Sequence, residues 1–130
     1  MIQEEKDLLL KDLCARLPYG VKFQSETVET VLFIDTSDGD VWINGTSIDD
    51  FKPYLFPLSS LTEEQYEKFI IASGWDGDIE DVRRGKFSCI GDIGLDYIYD
   101  TIDWLNKNHF DYRNLINKNL AIDATNLNIY

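Results

Sequence analysis

His109 is the residue best suited to acid–base chemistry, because it is the single imidazole in the chain. Asp103 and Asp111 lie close to it in sequence, and either carboxylate could support a general base. No serine, cysteine or second histidine is placed beside it to form a nucleophile relay. We therefore interpret His109 as a side chain at a helix C-terminus, where the helix dipole favours a proton donor. A small carboxylate-dependent hydrolase with a site near His109 is kept as an alternative.

The acidic stretch 76–81 is the natural place to look for bound calcium. An EF-hand loop needs glycine at its sixth position and glutamate at its twelfth. Counted from Asp76, these positions hold Asp81 and Phe87, and a count that starts at Asp38 fails as well. The chain has 24 acidic residues, and no pair among them stands out for glycoside hydrolysis. We predict a solvated acidic turn, no metal site and no catalytic residue.

The cysteines and glycines also lack the spacing of known sites. Cys14 and Cys89 form no CxxC pair or cysteine–histidine cluster, which argues against structural zinc. Gly91 and Gly94 belong to neither a dinucleotide fingerprint nor a P-loop, so no cofactor is expected. We predict two buried free thiols in a reducing, cytoplasmic protein. The N-terminus does not have the pattern of a signal peptide, and no segment is apolar enough to span a bilayer.

Four aromatic side chains are candidates for a binding surface. If they were exposed together, they would mark a protein-binding patch. If they were buried, they would simply fill the core. The candidate patch consists of Trp42, Tyr54, Phe56 and Trp75.

The charge balance restricts the choice of partner. Twelve basic residues against 24 acidic ones give a net charge of −12. Such a surface repels nucleic-acid phosphates and anionic lipids, so we expect no direct binding to nucleic acid or membrane. It would attract a basic protein partner. A DNA-mimicking inhibitor is a further alternative, and it requires carboxylates spaced like phosphates along one face.

Three stretches carry helical signals. Residues 4–17 have an apolar stripe of leucines that Pro18 ends. Thr62 begins a second helix with a capping box, and Gly74 suits its C-terminus. The stretch 96–120 has the strongest periodicity, with Asp111 as the N-cap of a shorter helix after the long one. Trp104, at the edge of the long helix's stripe, is predicted to be largely buried against residues 49–60.

Between the first two helices the sequence predicts strands. Alternation or β-branched density marks 21–25, 29–35, 41–43 and 46–48. Asp38-Gly39 and Asn44-Gly45 are hairpin signals, so we expect an antiparallel meander of three or four strands. Pro53 and Pro57 favour an irregular segment over 49–60 rather than a central strand. The predicted fold is a single α+β domain over 1–130, with three to four helices packed on the meander. We expect a polar tail after Asp123, although its last apolar residues could dock.

Four pieces of the chain look familiar together: LLLKDLCARLPYGVK (8–22), IDDFKPYLFPLSSLT (48–62), DWLNKN (103–108) and HFDYRNLINKNLA (109–121). They resemble a family of small uncharacterised proteins from gut Bacteroides-type bacteria and their phages or integrated elements. The resemblance implies a phage or mobile-element setting and carries no activity or site. Asn114 and Asn119 stand where the family has glycines, and asparagine tolerates the left-handed conformation.

Together these features predict a non-catalytic protein-binding or accessory protein of a phage or mobile element. An enzyme would instead gather His109 and at least two acids in a deep pocket. A binding module would show an aromatic patch. The identity of the partner and the oligomeric state are left open by the sequence.

Overall fold

The computed structural model describes residues 1–75, 77–86 and 95–130, with side chains from residue 99 onward in the last range. Three short 3-10 turns join the regular elements, at Leu17–Tyr19, Ile48–Asp50 and Leu58–Ser60. The architecture is α+β, as predicted. In chain order the elements are α1 (Gln3–Arg16), β1 (Lys22–Gln24), β2 (Val28–Thr30), β3 (Ile34–Ser37), β4 (Asp40–Ile43), β5 (Thr46–Ser47), β6 (Tyr54–Pro57), α2 (Glu63–Ser73), α3 (Ile79–Arg83), α4 (Leu95–Lys107), β7 (Phe110–Asp111) and β8 (Ile122–Asp123).

The predicted hairpins are confirmed in the sheet β3-β4-β5, which is an antiparallel meander. Asp38 and Gly39 have φ of 53° and 82°, and Asn44 and Gly45 have φ of 50° and 83°. Positive φ at both central residues is the geometry of a type I′ turn, whose twist matches that of the flanking strands. The register pairs Ser37 with Asp40 across the first turn.

The prediction of one strand over 29–35 is wrong, because the chain bends between two separate sheets. β2 pairs with β1, whereas β3 pairs with β4. Val31 is buried between them, and its amide donates to the Val21 carbonyl at 2.9 Å. The meander therefore holds three strands, and β1-β2 forms its own two-stranded ribbon.

The prediction that 49–60 is irregular is also wrong. β6 is the middle strand of a parallel sheet, with β7 on one side and β8 on the other. Pro53 and Pro57 do not prevent this, because Pro53 precedes the four-residue strand and Pro57 is its last residue, which leaves the amides between them intact. The Phe56 amide donates to the His109 carbonyl at 2.8 Å, and the Ala124 amide donates to the Leu55 carbonyl at 2.8 Å.

The helix α2 begins as predicted. Its capping box is complete: the Gln65 amide donates to Thr62 Oγ1 at 3.2 Å, and the Thr62 amide donates to Gln65 Oε1 at 2.9 Å. Gly74 ends the helix with φ of 69°. The helix packs against α4.

Trp104 lies in this helical layer, and its side chain is partly buried against the second apolar cluster. Its ring packs edge-on against Phe69 at 5.4 Å and stacks on Phe110 at 5.7 Å. Phe56 and Leu58, from the segment predicted to cover it, belong to the same cluster.

The short helix predicted after Asp111 is replaced by a series of turns. Asp111 still acts as a cap, since its two carboxylate oxygens accept from the amides of Leu115 at 3.0 Å and Ile116 at 2.9 Å. Asn114 and Asn119 adopt φ of 62° and 61°, which interrupts a right-handed helix.

The end of the described chain docks on the sheet. Ala124 is buried, and the Tyr130 hydroxyl donates to the Tyr54 carbonyl at 2.8 Å and accepts from the Lys22 amide at 2.9 Å. Residues beyond Asp123 are therefore held in place, at least at these positions.

Among the described residues, two apolar clusters form the interior. The first lies between α1, the β1-β2 ribbon and the inner face of the meander. The second lies between α2, α3, α4 and β7. The buried members of the first cluster are Leu9, Leu13, Val21, Phe23, Val31, Ile43, Ile48, Phe51, Leu55, Leu115, Leu120 and Ala121, and those of the second are Leu61, Phe69, Trp75, Val82, Leu105 and Phe110.

A buried ion pair on α1 connects these regions. Arg16 is 0% exposed and Asp12 is 1% exposed, and Arg16 Nε donates to Asp12 Oδ2 at 2.8 Å. Arg16 Nη2 also donates to the Phe110 carbonyl at 2.6 Å, and Arg113 Nη1 donates to Asp12 Oδ1 at 2.8 Å. Cys14, by contrast, is exposed on the same helix, so the prediction that it is buried is wrong. Cys89 lies outside the described residues.

We predict that Asp12→Ala lowers the free energy of unfolding by about 3–5 kcal/mol, because it leaves the Arg16 guanidinium buried without its counter-charge. Urea denaturation followed by tryptophan fluorescence measures the loss. Lys6→Ala is the matched control, since it breaks the surface pair with Asp49 at 3.5 Å. The control should cost less than about 1 kcal/mol. Equal losses in both variants would show that the buried ion pair stabilises the fold no more than the surface pair does.

Candidate functional site: the outer face of the hairpin sheet

The two faces of the β3-β4 hairpin differ because side chains alternate along a strand. Ile34 lies opposite Ile43 in the register, and Ile43 is fully buried while Ile34 packs against the first apolar cluster. Asp35 lies opposite Trp42, and directly opposed residues project to the same face. The inner face is therefore aliphatic, and the outer face carries an aromatic ring beside carboxylates.

The outer face forms a cavity of about 310 Å³. Phe33 precedes β3 by one position, so it shares the alternation that brings Asp35 and Ser37 outward. Trp42 is half-buried in this face, whereas Phe33 is 53% exposed. The lining residues are Phe33, Asp35, Ser37, Asp38, Asp40, Trp42 and Gly45.

Asn44 holds the aromatic edge of this cavity in position. Its Oδ1 accepts from the amides of Leu32 at 2.8 Å and Phe33 at 3.2 Å. Its Nδ2 donates to the Thr30 carbonyl at 2.9 Å. The bend that divides the predicted long strand is thus fastened by a turn residue of the next hairpin, and this fixes the backbone of Phe33.

The chemistry of this face suits a cation. A guanidinium or ammonium group is attracted to the face of an aromatic ring, most strongly tryptophan, and gains about 0.5–2 kcal/mol there. The carboxylates of Asp35, Asp38 and Asp40 line the same cavity and would accept the cation's N–H groups. A planar guanidinium can use both features at once, since it stacks and forms paired hydrogen bonds.

The four aromatics of the predicted patch do not form one exposed surface. Trp42 lines the cavity. Tyr54 and Trp75 are only 8% and 2% exposed, and Trp75 belongs to the second apolar cluster. Phe56 is half-buried and tilted against Phe110 at 6.0 Å. Of these four aromatics, only Trp42 therefore remains as a binding candidate.

Phe33 is one of the members of the site that sequence reasoning missed, together with Asp35 and Asp40. The predicted strand over 29–35 placed Phe33 in a continuous ladder and gave no reason to single this residue out. The available signal was the spacing of Phe33, Asp35 and Ser37 at every second position, just before an Asp-Gly turn. That pattern places them on one side of a strand.

His109 lies in a different environment from the one needed for general base catalysis. Its ring stacks on Tyr130 with centroids 3.7 Å apart. Burial, and then the charges of Arg16 and Lys22, lower the pKa of His109 from 6.5 to about 4. The helix-end position is confirmed, but the imidazole is neutral near pH 7 rather than a proton donor favoured by the dipole.

The carboxylates expected to assist His109 are not gathered around it. Asp103 is exposed, and both oxygens of Asp111 already accept backbone amides. His109 lines neither the hairpin cavity nor the larger cavity described below. These contacts supply no support for a hydrolase centred on this residue.

The acidic stretch 76–81 is described only in part, because Asp76 lies outside the described residues. Glu80 Oε1 accepts from Arg83 Nη1 at 2.7 Å within α3. This carboxylate is therefore engaged in a local ion pair.

In the part of the chain that the structure describes, none of the helices has the length and apolar character required to cross a bilayer. A comparison of the chain with protein-family models, with curated proteins and with solved structures finds no match.

We predict that stability falls between pH 7 and pH 4.5 partly through His109. Its pKa is lower in the folded state, about 4, than its ordinary value of 6.5, so the unfolded chain takes up the proton first. The contribution is full above pH 6.5 and is lost as the pH falls toward 4. The variant His109→Asn removes the titrating group, and asparagine tolerates the φ of 64° at this position.

Urea denaturation at both pH values should show wild type losing about 1–2 kcal/mol more than His109→Asn, after a discount for partial solvent exposure. The carboxylates are common to both proteins and cancel in the comparison. Identical pH dependence in the two proteins would mean that His109 titrates normally.

Proposed function

We propose that this protein is a non-catalytic protein-binding module that takes a lysine or arginine side chain of a basic partner into the hairpin cavity. The observation that carries the proposal is the placing of Trp42 and Phe33 beside three carboxylates in one solvent-accessible cavity. The aromatic rings and the carboxylate oxygens are then available to the same cation.

The exposed apolar side chains around the cavity support a protein partner rather than a free small cation. Leu32 is 75% exposed and Phe33 is 53% exposed, next to the half-buried Trp42. Interfaces commonly combine an aromatic centre with a polar rim. Here the rim is acidic, so it would keep the free protein soluble and disfavour acidic partners.

The net charge of −12 supports the same proposal at longer range. A basic partner would be drawn to the acidic surface and would associate faster at low ionic strength. That attraction is not local, since acidic residues are spread over the chain. The hairpin cavity is what would give the encounter a defined position.

The biological setting we propose is an accessory protein of a phage or mobile element. This part of the proposal depends on the sequence resemblance alone. The partner is defined here only by its chemistry, a basic protein segment that exposes arginine or lysine.

A labelled hexa-arginine peptide tests the proposal by fluorescence anisotropy at low and physiological salt. The double variant Asp35→Asn/Asp40→Asn should weaken binding about tenfold, which corresponds to about 1.4 kcal/mol. Trp42→Leu should weaken it as well, through the lost stacking surface.

The matched control is Glu67→Gln/Asp103→Asn, which changes the net charge by the same amount at exposed positions outside the cavity. It should change the dissociation constant by less than about twofold. An equal loss in the control would reduce the interaction to diffuse charge attraction and would contradict the proposed site.

A further inference from the structure

A second and larger cavity, of about 450 Å³, lies on another part of the molecule. Its walls come from three parts of the chain: the end of β6 with the turn after it, the end of α3, and the turns after β7. Cavities of this size hold small organic molecules in many proteins. It shares no lining residue with the hairpin cavity.

Arg84 sets this cavity apart from the rest of the acidic surface. The chain has four arginines. Arg16 and Arg113 pair with Asp12, and Arg83 pairs with Glu80 at 2.7 Å. Arg84 is exposed, lines the cavity, and has no ion pair or side-chain hydrogen bond among the described residues. In a chain with 24 acidic residues, such an arginine has its guanidinium donors available for a ligand.

The other side chains around the cavity are compatible with an anion. Asp111 is the acidic member of the lining, but its oxygens already accept the amides of Leu115 and Ile116. Asn114 and Asn117 supply neutral carboxamides, and they are hydrogen-bonded to each other. The carboxylate at the wall is thus already engaged by backbone donors.

Part of the wall is apolar. Pro57, Leu58 and Ile116 line the cavity together with the polar groups. A ligand that fills it would therefore combine a charged head for the arginine with a hydrocarbon or aromatic body. A bare inorganic anion would use only the first of these features.

We propose that this cavity binds a small organic anion, whose phosphate or carboxylate head is held by Arg84 and whose apolar body lies against Pro57, Leu58 and Ile116. A guanidinium matches either head group through paired hydrogen bonds. The proposal is independent of the hairpin site, since the two cavities have no residue in common.

The test is a titration of ¹⁵N-labelled protein with phenyl phosphate, benzoate, inorganic phosphate and phenol, followed by NMR at physiological salt. Phenyl phosphate or benzoate should give saturable shifts at Gly85 and at the side-chain amides of Asn114 and Asn117. Inorganic phosphate and phenol should bind at least about tenfold more weakly, because each lacks one half of the ligand. Comparing the two organic anions identifies the preferred head group.

Arg84→Gln should weaken the better organic anion about tenfold, whereas Lys68→Gln, which removes an equal charge from a position outside the cavity, should change it less than about twofold. Three results would overturn the proposal: no saturable shift at the cavity residues of wild type, phenol binding as tightly as the anions, or equal effects of the two variants. The wild-type titration decides the first two even if Arg84→Gln were to fold poorly.

Discussion

The buried pair of Asp12 and Arg16 is the interaction on which the arrangement of this fold depends. A charged guanidinium inside a protein is tolerated where a counter-charge and hydrogen-bond acceptors offset its loss of water, since isolated charge burial is very costly. Asp12 supplies the counter-charge, and the Phe110 carbonyl supplies a further acceptor at 2.6 Å. The first helix is thereby tied to β7, which pairs with β6 at the centre of the parallel sheet.

The hairpin sheet packs only one of its faces against the interior. Ile43 and its neighbours fill the first apolar cluster, whereas the opposite face contributes no buried side chain to either cluster. A sheet face that does not pack against the interior can carry charged side chains whose burial would be costly, such as Asp35 beside Trp42. Tyr54 and Trp75 are instead buried in the interior, so their rings are not available for binding.

Features set by neighbouring residues could be predicted from the sequence. The capping box at Thr62, the two type I′ turns and the first helix need only local hydrogen bonds and local conformational preferences. The parallel pairing of β6 could not be predicted, because β7 and β8 are distant in the chain and each contributes only two residues. The cavity could not be predicted either. It depends on the hydrogen bonds that the Leu32 and Phe33 amides donate to Asn44 Oδ1, and strand periodicity does not indicate such side-chain contacts.

The most direct measurement of the central claim is the position of a bound arginine on the protein. NMR spectra of ¹⁵N-labelled protein with an arginine-rich peptide would report shifts residue by residue, and intermolecular nuclear Overhauser effects would identify atoms in contact. We expect contacts between the guanidinium and the Trp42 indole, with amide shifts concentrated between residues 33 and 45. Shifts spread evenly over acidic positions of α1 and α2, with the Trp42 resonances unchanged, would contradict the assignment of the hairpin face as the binding site.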